Sequence, residues 1–161
     1  MEHAPPFRII LSFVLAAAPA CRAPTGTDAS LHVVIASSAA TVSQVHPVTF
    51  TITVLNQSDV TAGLHASCGP HFEVKDASGR TVGPPQRFCT PTLFTPVLLS
   101  AGASYGLEDE WAGLGAPANS QVGQPLPPGN YTIVARVRAR VAGVERMYAS
   151  RPITVQVAAG S

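Results

Sequence analysis

The sequence predicts an all-β fold, an antiparallel β-sandwich of seven to eight short strands. Apolar and polar residues alternate in several segments, and clusters of turn-forming residues separate these segments. No stretch after the first twenty residues has the periodicity of an amphipathic helix. The 15 prolines and 13 glycines among the 161 residues also suit short strands joined by tight turns.

The beginning of the chain differs in character from the rest. Met1 to Arg8 is short and polar, and Ile9 to Ala18 is an apolar run that is too short to span a bilayer as a mature helix. Small residues then precede Cys21. This order of segments is typical of a secretory leader.

Two processing outcomes are compatible with this leader. A general signal peptidase would cut after Ala20, because Ala18 and Ala20 form an A-x-A pattern. Alternatively, Cys21 becomes the lipidated first residue of a bacterial lipoprotein, since the preceding segment is similar to a lipobox with Ala18 in the usual place of leucine. In both cases we expect an exported protein of the periplasm or cell envelope. Membrane attachment is expected only through a lipid on Cys21.

These signals define the expected domain organisation. We expect residues 1–20 to be a signal peptide and residues 21–30 to be a flexible tether of polar residues, proline and glycine. Residues 31–158 are expected to form one folded domain. The net charge of +1 and the charged fraction of 12% include no basic tail, so nucleic acid is not an expected partner.

The cysteines predict one disulfide. If Cys21 carries lipid or is removed, Cys68 and Cys89 remain as an even set in an oxidising compartment. They are therefore expected to pair with each other. The loop that the bond would close has about twenty residues, and a loop of that size stabilises a fold by roughly 3 kcal/mol.

His65, Cys68 and His71 also have the residue types of a metal site. The alternative is a pair of surface histidines beside a disulfide that uses Cys68. Positions three apart on a strand point to opposite faces of a sheet, which disfavours shared ligation. We therefore expect no metal and no other cofactor.

The strand signals follow one another along the domain. In the clearest of them Val48, Phe50, Ile52 and Val54 alternate with threonines, which predicts one face in a core and one in water. Asn56 then opens a turn. The expected strand and hairpin segments are residues 31–36, 48–55, 60–67, 71–82, 92–111, 131–141 and 151–157.

Three places interrupt this regular order. Leu107, Asp109 and Trp111 share one parity, so the aspartate breaks the alternation, and we expect a β-bulge there. Gly79 lies at the bend of a hairpin, where a positive φ is expected. Ala112–Pro128 is the longest irregular segment.

The segment that follows places apolar and basic residues on opposite faces of one strand. Arg136, Arg138 and Arg140 are expected to point outwards, either as a solvated row that discourages edge pairing or as a binding face. Glu108 and Glu110 are expected to pair with them across strands. The expected inward face consists of Tyr131, Ile133, Ala135, Val137, Ala139 and Val141. Trp111 and Tyr131 are expected to be core aromatic residues.

Four motifs recur in one order along the domain: TFTITVLNQSD (Thr49–Asp59), FEVKDASGRTV (Phe72–Val82), LSAGASYGLEDEW (Leu99–Trp111) and LPPGNYTIVARV (Leu126–Val137). Together they resemble the BsuPI-type intracellular proteinase inhibitor domain family. The resemblance implies an immunoglobulin-like sandwich and, from the family's name, inhibition of serine proteinases. Two features depart from the family: the export leader, and the cysteines Cys68 and Cys89. No reactive-site residue is carried over.

The sequence contains no Gly-x-Ser-x-Gly, no phosphate-binding loop and no His-Glu-x-x-His, so we expect the protein not to be an enzyme. The first hypothesis is an exported binding module that inhibits a serine proteinase with Ala112–Pro128 as the inhibitory loop. The second is a structural or protein-interaction protein of the bacterial cell envelope, which binds through the arginine face or a strand edge. The third is a periplasmic metal carrier that uses His65, His71 and Cys68.

Overall fold

The computed structural model describes residues 30–65, 69–86, 95–117 and 120–159. Within these ranges the chain forms thirteen β-strands and no helix. The strands are β1 (Leu31–Ser37), β2 (Thr41–Val42), β3 (Val48–Asn56), β4 (Ala62–Leu64), β5 (Phe72–Lys75), β6 (Thr81–Gly83), β7 (Val97–Leu99), β8 (Ser104–Trp111), β9 (Leu114–Gly115), β10 (Gln124–Pro125), β11 (Gly129–Val141), β12 (Val144–Ala149) and β13 (Ile153–Val157). The fold is an immunoglobulin-like β-sandwich, as predicted.

One layer of the sandwich is a three-stranded sheet, the small sheet, in the order β1-β3-β8. Its central strand β3 is rich in β-branched and aromatic residues, which favour a pleated and half-buried surface. Both of its neighbours are antiparallel to it and keep one register over their whole length. The small sheet is therefore regular and has two open edges, β1 and β8, in the described part of the chain.

The other layer is an eight-stranded sheet, the large sheet, organised around β11. On one edge, β11 pairs first with β13 and then with β12. On the other edge it pairs with β5 and then with β4. Farther out in the sheet, β7 pairs with β4 and β6 pairs with β5, both antiparallel. Strand β2 pairs with β13 in parallel. Thirteen residues of one strand thus connect most of the layer.

A buried serine completes the edge of β11 where its partner changes from β12 to β13. The Ser150 hydroxyl accepts the Ala135 N–H at 3.0 Å and donates to the Arg151 carbonyl at 2.8 Å. The Ser150 N–H donates to the Ala135 carbonyl at 3.1 Å. Backbone groups that would lack a partner at the strand switch are therefore satisfied, which a buried position requires.

The core lies between the two sheets and follows the predicted alternation. Val48, Phe50, Ile52 and Val54 are fully buried, and their threonine neighbours lie on the outer face. The six predicted inward residues of β11 are all buried as well. Burial of each large apolar side chain contributes about 1.5–3 kcal/mol, so these two strands supply much of the folding free energy.

Trp111 joins the aromatic part of the core, as expected. Its ring stacks on Phe50 at a centroid distance of 6.2 Å and meets Tyr131 edge-on at 6.5 Å. Phe50 also meets Phe72 edge-on at 4.8 Å. The indole Nε1 donates to the Leu114 carbonyl at 2.8 Å, which satisfies the polar atom of a buried tryptophan.

The hairpin between β5 and β6 bends as predicted. Gly79 has a φ of +80°, and its N–H donates to the Asp76 carbonyl at 2.9 Å. The Ser78 hydroxyl donates to Asp76 Oδ1 at 2.6 Å, and the Arg80 N–H donates to the same oxygen at 3.0 Å. The hydroxyl of Ser78 is the main reason that the pKa of Asp76 lies below its usual value of 3.8.

The expected bulge at Asp109 is wrong. Strand β8 keeps an unbroken register with β3, and Asp109 lies opposite Phe50 with its side chain pointing into the sandwich. The alternation therefore continues through the aspartate, and the cost of burying a carboxylate is offset by hydrogen bonds rather than by a change of register. The strand count also exceeds the predicted seven to eight, because segments of two or three residues in the expected loops form pairs.

Asn56 connects the two sheets at the end of β3. Its Nδ2 donates to the carbonyl oxygens of Val60 and Leu99, both at 2.8 Å, and its Oδ1 accepts the N–H and the hydroxyl of Ser58 at 3.1 and 2.6 Å. The Asn56 N–H donates to the Ala103 carbonyl at 2.9 Å. The side chain is fully buried, and both amide hydrogens and the amide oxygen are engaged. The turn predicted at Asn56 is thus a buried polar network.

Replacing Asn56 with alanine is expected to lower the free energy of unfolding by about 3 kcal/mol, because two carbonyl oxygens and Ser58 lose a buried partner. Urea unfolding followed by circular dichroism measures the change. The matched control is Gln57→Ala at the exposed neighbouring position, with an expected change below about 0.5 kcal/mol. Equal losses in the two variants would contradict the role of the network.

Candidate functional site

The three predicted arginines lie in a row on the outer face of β11, and with Glu73, His65 and Glu145 they form what we call the arginine face. Arg136 pairs with Glu73 of β5 at 3.1 Å. Arg138 and Arg140 approach Glu145 of β12 at 3.8 and 3.6 Å. The side chains of Arg138 and Arg140 are about 60% exposed. The outward orientation of the row is confirmed.

The predicted pairing of the arginines with Glu108 and Glu110 is wrong. Both glutamates lie on β8, which belongs to the small sheet, whereas β11 belongs to the large sheet. The acidic partners instead come from β5 and β12, which flank β11. The order of charges along the sequence does not reveal which strands become neighbours. The prediction of acidic partners was therefore correct in charge but placed them on the wrong strand.

The arginine face keeps an excess of positive charge. Three guanidinium groups share the two carboxylates of Glu73 and Glu145, and His65 Nε2 lies 3.3 Å from the same Glu145 carboxylate. Exposed ion pairs of this kind contribute little to stability. Each arginine has an acidic neighbour, but positive groups outnumber the carboxylates. The arginine face is therefore a basic patch.

The predicted irregular segment Ala112–Pro128 contains a short two-stranded ribbon, formed by β9 and β10. Backbone hydrogen bonds attach this ribbon to the sandwich. The Ala116 N–H donates to the Val82 carbonyl at 2.8 Å. Within the ribbon segment, the Leu126 N–H donates to the Gly113 carbonyl at 3.0 Å. A side chain at Gly115 would lie 2.5 Å from the Val82 carbonyl oxygen, so close contact between ribbon and hairpin requires glycine there.

The turn of the ribbon presents an exposed apolar residue, Val122. The Ser120 hydroxyl accepts the Val122 N–H at 3.2 Å and donates to the Val122 carbonyl at 3.3 Å. The Gln86 N–H donates to the Ser120 carbonyl at 2.8 Å, which fixes the turn to the segment after β6. The side chain of Val122 is nevertheless 68% exposed. Position 122 therefore combines a hydrogen-bonded backbone with an exposed apolar side chain.

Two of the shallow grooves beside the ribbon meet at Pro125 and Leu126. One has a volume of about 350 Å³ and the other of about 410 Å³. Proline, glycine, alanine and valine form most of both linings, and Arg80 is the one charged lining residue. Grooves with so few charged residues suit an uncharged ligand better than a small charged one.

Sequence reasoning did not find the buried pair of His71 and Asp109. The Asp109 side chain is only 2% exposed, and its Oδ2 accepts the His71 N–H at 2.7 Å and lies 3.0 Å from His71 Nδ1. His71 precedes β5 of the large sheet and Asp109 belongs to β8 of the small sheet, so the pair links the layers. The broken alternation at Asp109 was the signal in the sequence.

The histidines of the predicted metal alternative have separate carboxylate partners. His65 approaches Glu145, whereas His71 approaches Asp109. In the ranges that the structure describes, no three His, Cys, Asp or Glu side chains are grouped so that they could hold a metal ion. Cys68 lies outside those ranges.

Several sequence predictions concern residues outside the described ranges. They are the leader and tether at residues 1–29, lipidation of Cys21, and the disulfide between Cys68 and Cys89. They stay predictions. Among the residues that the structure does describe, no helix has the length and apolar character needed to cross a membrane.

No family model matches the sequence, and no curated protein matches it. Among solved structures, the chain is similar to the X-ray structure of the Northeast Structural Genomics Consortium target SoR45, with a TM-score of 0.50 and 13% identity over 82% of this chain and 90% of that chain. It is also similar to the β-glucosidase EmGH1 of Erythrobacter marinus, with a TM-score of 0.46 and 13% identity over 80% of this chain and 15% of the enzyme. A PapD-like domain of human CEP192 has a TM-score of 0.43 and 15% identity over 97% of this chain and 100% of that domain.

These similarities concern the fold. At 13% identity, the likeness to SoR45 agrees with the β-sandwich architecture and assigns no role to any side chain. The match to the β-glucosidase involves a small part of that enzyme's chain. Any role of the arginine face or of the ribbon therefore depends on the geometry of their own residues.

Tyr131 anchors the end of the ribbon segment to the sandwich. Its hydroxyl donates to the Pro127 carbonyl at 2.9 Å, four residues upstream, in the manner of the corner tyrosine of immunoglobulin-like sandwiches. Burial raises the pKa of Tyr131 above its usual value of 10.0, and the negative charge of Asp76 adds to the shift. The neutral hydroxyl is the form that donates this hydrogen bond.

We expect the stability that Tyr131 provides to be fully present below pH 10.0, where the unfolded chain keeps its phenol protonated, and to be lost as the pH rises through the higher pKa of the folded state. Urea unfolding between about pH 8 and about pH 11 measures this loss. Tyr131→Phe cannot ionise at this position and serves as the control. A wild-type profile that parallels the profile of Tyr131→Phe would contradict the expectation.

Proposed function

We propose that the chain is an exported, non-catalytic binding module that recognises a protein partner through the ribbon between Ala112 and Pro128, and that its partner is a serine proteinase. The observation that carries this proposal is the turn of the ribbon. Hydrogen bonds from Ser120 and Gln86 hold the turn, and Val122 projects from it.

A proteinase inhibitor must offer a segment that is already in its bound conformation, because ordering a flexible loop on binding would reduce affinity. The ribbon meets this requirement through two backbone hydrogen bonds to its surroundings. The Ala116 N–H donates to the Val82 carbonyl, and the Gln86 N–H donates to the Ser120 carbonyl.

Arg80 lines one groove beside the ribbon, and Glu110 lines another that reaches Gln121 and Gly123. The exposed side chain at the turn is itself apolar, so it would enter an apolar cleft with little desolvation cost. The flanking grooves provide further area for a contact of ordinary size.

The side chain at the turn indicates the type of proteinase. Valine is small, β-branched and apolar, so it fits a proteinase whose primary specificity pocket is shallow and apolar. A pocket with a buried carboxylate, which selects lysine or arginine, would leave that carboxylate unpaired against Val122. We therefore expect an elastase-like preference rather than a trypsin-like one.

The resemblance to BsuPI-type inhibitors supports this proposal because the four shared motifs lie on strands of the sandwich. Three of the motifs correspond to β3 with the Asn56 network, the β5–β6 hairpin, and β8 up to Trp111. The fourth corresponds to the entry into β11. Together they form the sandwich that surrounds the base of the ribbon.

The buried His71–Asp109 pair has a structural role, which supports the proposal that the chain is non-catalytic. Asp109 accepts the His71 backbone N–H as well as facing its ring, so the pair fixes the approach of two sheets. Export, with lipidation at Cys21 as one form of attachment, remains the proposed location. It rests on the leader alone.

The proposal is tested by titrating a panel of serine proteinases with the purified protein. We expect inhibition of an elastase-like enzyme and none of a trypsin-like enzyme at the same concentration. Val122→Asp is expected to weaken inhibition by at least about 30-fold, since it places a charge in an apolar pocket at the centre of the contact.

The matched control is Val144→Asp, at an exposed valine that begins β12 opposite Val141, at the end of β11 farthest from the ribbon. It should inhibit like the wild type. If no proteinase in the panel is inhibited at micromolar concentration, or if both variants lose inhibition equally, the ribbon is not an inhibitory loop.

A second candidate function is that of an envelope interaction protein that binds through the arginine face. The observation in its favour is that Arg138 and Arg140 share the single carboxylate of Glu145 and stay about 60% exposed. An acidic segment of a partner would displace weak, solvated ion pairs at small cost. Such binding would weaken with added salt.

Pull-down from envelope extracts distinguishes this candidate from the first. Replacing Arg136, Arg138 and Arg140 with serine should abolish capture of the partner while leaving the ribbon unchanged. A partner that is captured equally well by the triple variant and by Val122→Asp would exclude both surfaces.

A further inference from the structure

The two sheets differ in how their open edges are protected. Proteins usually shield a free strand edge by making the strand short or by placing charged side chains on it. In the described part of the chain, the open edges β2, β6 and β7 are two or three residues long. The longer edges β8 and β12 carry charged residues: Glu108, Asp109 and Glu110 on β8, and Glu145 and Arg146 on β12.

Strand β1 has neither kind of protection. It is seven residues long, and its sequence LHVVIAS contains no lysine, arginine, aspartate, glutamate or proline. It keeps one register with β3 from Leu31 to Ser37, without a bulge that would turn the edge away. Val34, on its outer face, is 47% exposed. A long, regular and uncharged edge of this kind is a template for another strand.

The hydrogen bonds to β3 reveal which backbone groups of β1 point away from the sheet. The Gln57 N–H donates to the Ser30 carbonyl at 3.1 Å, and the Ser38 N–H donates to the Thr49 carbonyl at 2.9 Å. Groups alternate in direction along a strand, so even-numbered residues face β3. The N–H and C=O groups of the odd-numbered residues Leu31, Val33, Ile35 and Ser37 therefore point to the free edge.

We propose that β1 pairs with β1 of a second copy of this chain, antiparallel, about a two-fold axis at Val34. This arrangement places Leu31 opposite Ser37 and Val33 opposite Ile35, so all four outward-facing residues of each copy exchange hydrogen bonds. A two-fold axis at Val33 would leave Ser37 unpaired, and an axis at Ile35 would leave Leu31 unpaired. The register at Val34 is thus the one that satisfies the whole edge.

Side chains fit the same register. Val34 lies opposite Val34 of the second copy as a non-hydrogen-bonded pair, in which side chains approach most closely. His32 lies opposite Ala36, so the histidines of the two copies do not face each other. The strands of the small sheet contain no lysine or arginine, and its acidic residues lie on β8, at the edge away from the axis. Between the two small sheets no like charges meet, and the exposed valine becomes partly covered, which favours a second copy as the occupant.

Analytical ultracentrifugation of the purified protein tests this inference. The contact is one strand wide, so we expect a reversible monomer–dimer equilibrium with a dissociation constant on the order of 100 μM. Val34→Lys places two like charges at the axis and is expected to weaken the dimer by at least about tenfold. Val34→Thr keeps a neutral β-branched side chain and should still form dimers.

Leu98→Lys is the control, because Leu98 is 73% exposed on the short edge strand β7 of the large sheet. It should dimerise like the wild type, and circular dichroism should show that all variants are folded. A monomer at every concentration up to about 1 mM would overturn the proposal. A dimer that Val34→Lys leaves intact would overturn it as well.

Cross-linking tests the register separately. In a non-hydrogen-bonded antiparallel pair the Cα atoms are about 4.5 Å apart, within the range that a disulfide spans. Val34→Cys should therefore form a covalent dimer on mild oxidation, with the link between the two copies of position 34 identified by peptide mass spectrometry. A dimer without that link would overturn the two-fold axis at Val34. The inference does not depend on the proposed function, since inhibition and self-association are measured independently.

Discussion

Strand β11 is the element on which the rest of the sandwich depends. Its two halves pair with four different strands, and its inward side chains form one wall of the core from Tyr131 to Val141. Any disturbance of its alternation would expose apolar residues to water along the whole large sheet. The Pro-Pro-Gly turn before it, and Tyr131 at its beginning, fix where this alternation starts. The outward arginines are the consequence of a strand that is buried on one face only.

Buried polar groups stabilise the places where strands change partners or layers. Ser150 closes the gap between β12 and β13, Asn56 joins the end of β3 to β7, and the His71–Asp109 pair joins β5 to β8. Each group has good hydrogen-bond partners, so its burial specifies one arrangement of strands instead of weakening the core. Apolar packing alone would tolerate a shift of one sheet over the other. These polar contacts exclude such a shift.

The surfaces proposed for recognition are the parts that this framework leaves open. The ribbon formed by β9 and β10 belongs to neither sheet, yet backbone hydrogen bonds hold it against the β5–β6 hairpin and the segment after it. The β1 edge is open because the small sheet ends there without charged residues. The arginine face, in contrast, is partly neutralised by its own neighbours. Hydrogen-bonded backbone with few charged side chains is therefore the common property of the two surfaces that the geometry favours.

The sequence by itself determined the fold class, the inward face of β3 and β11, and the outward direction of the arginines, because side-chain alternation is a local property of a strand. The tertiary structure alone decided which strands are neighbours. Glu73 and Glu145 replaced Glu108 and Glu110 as the partners of the arginines for this reason, and Asp109 stayed inward because His71 arrives from the other sheet. Pairing between distant segments depends on contacts that no local pattern encodes, so the ribbon and the open edge of β1 became visible only in the folded chain.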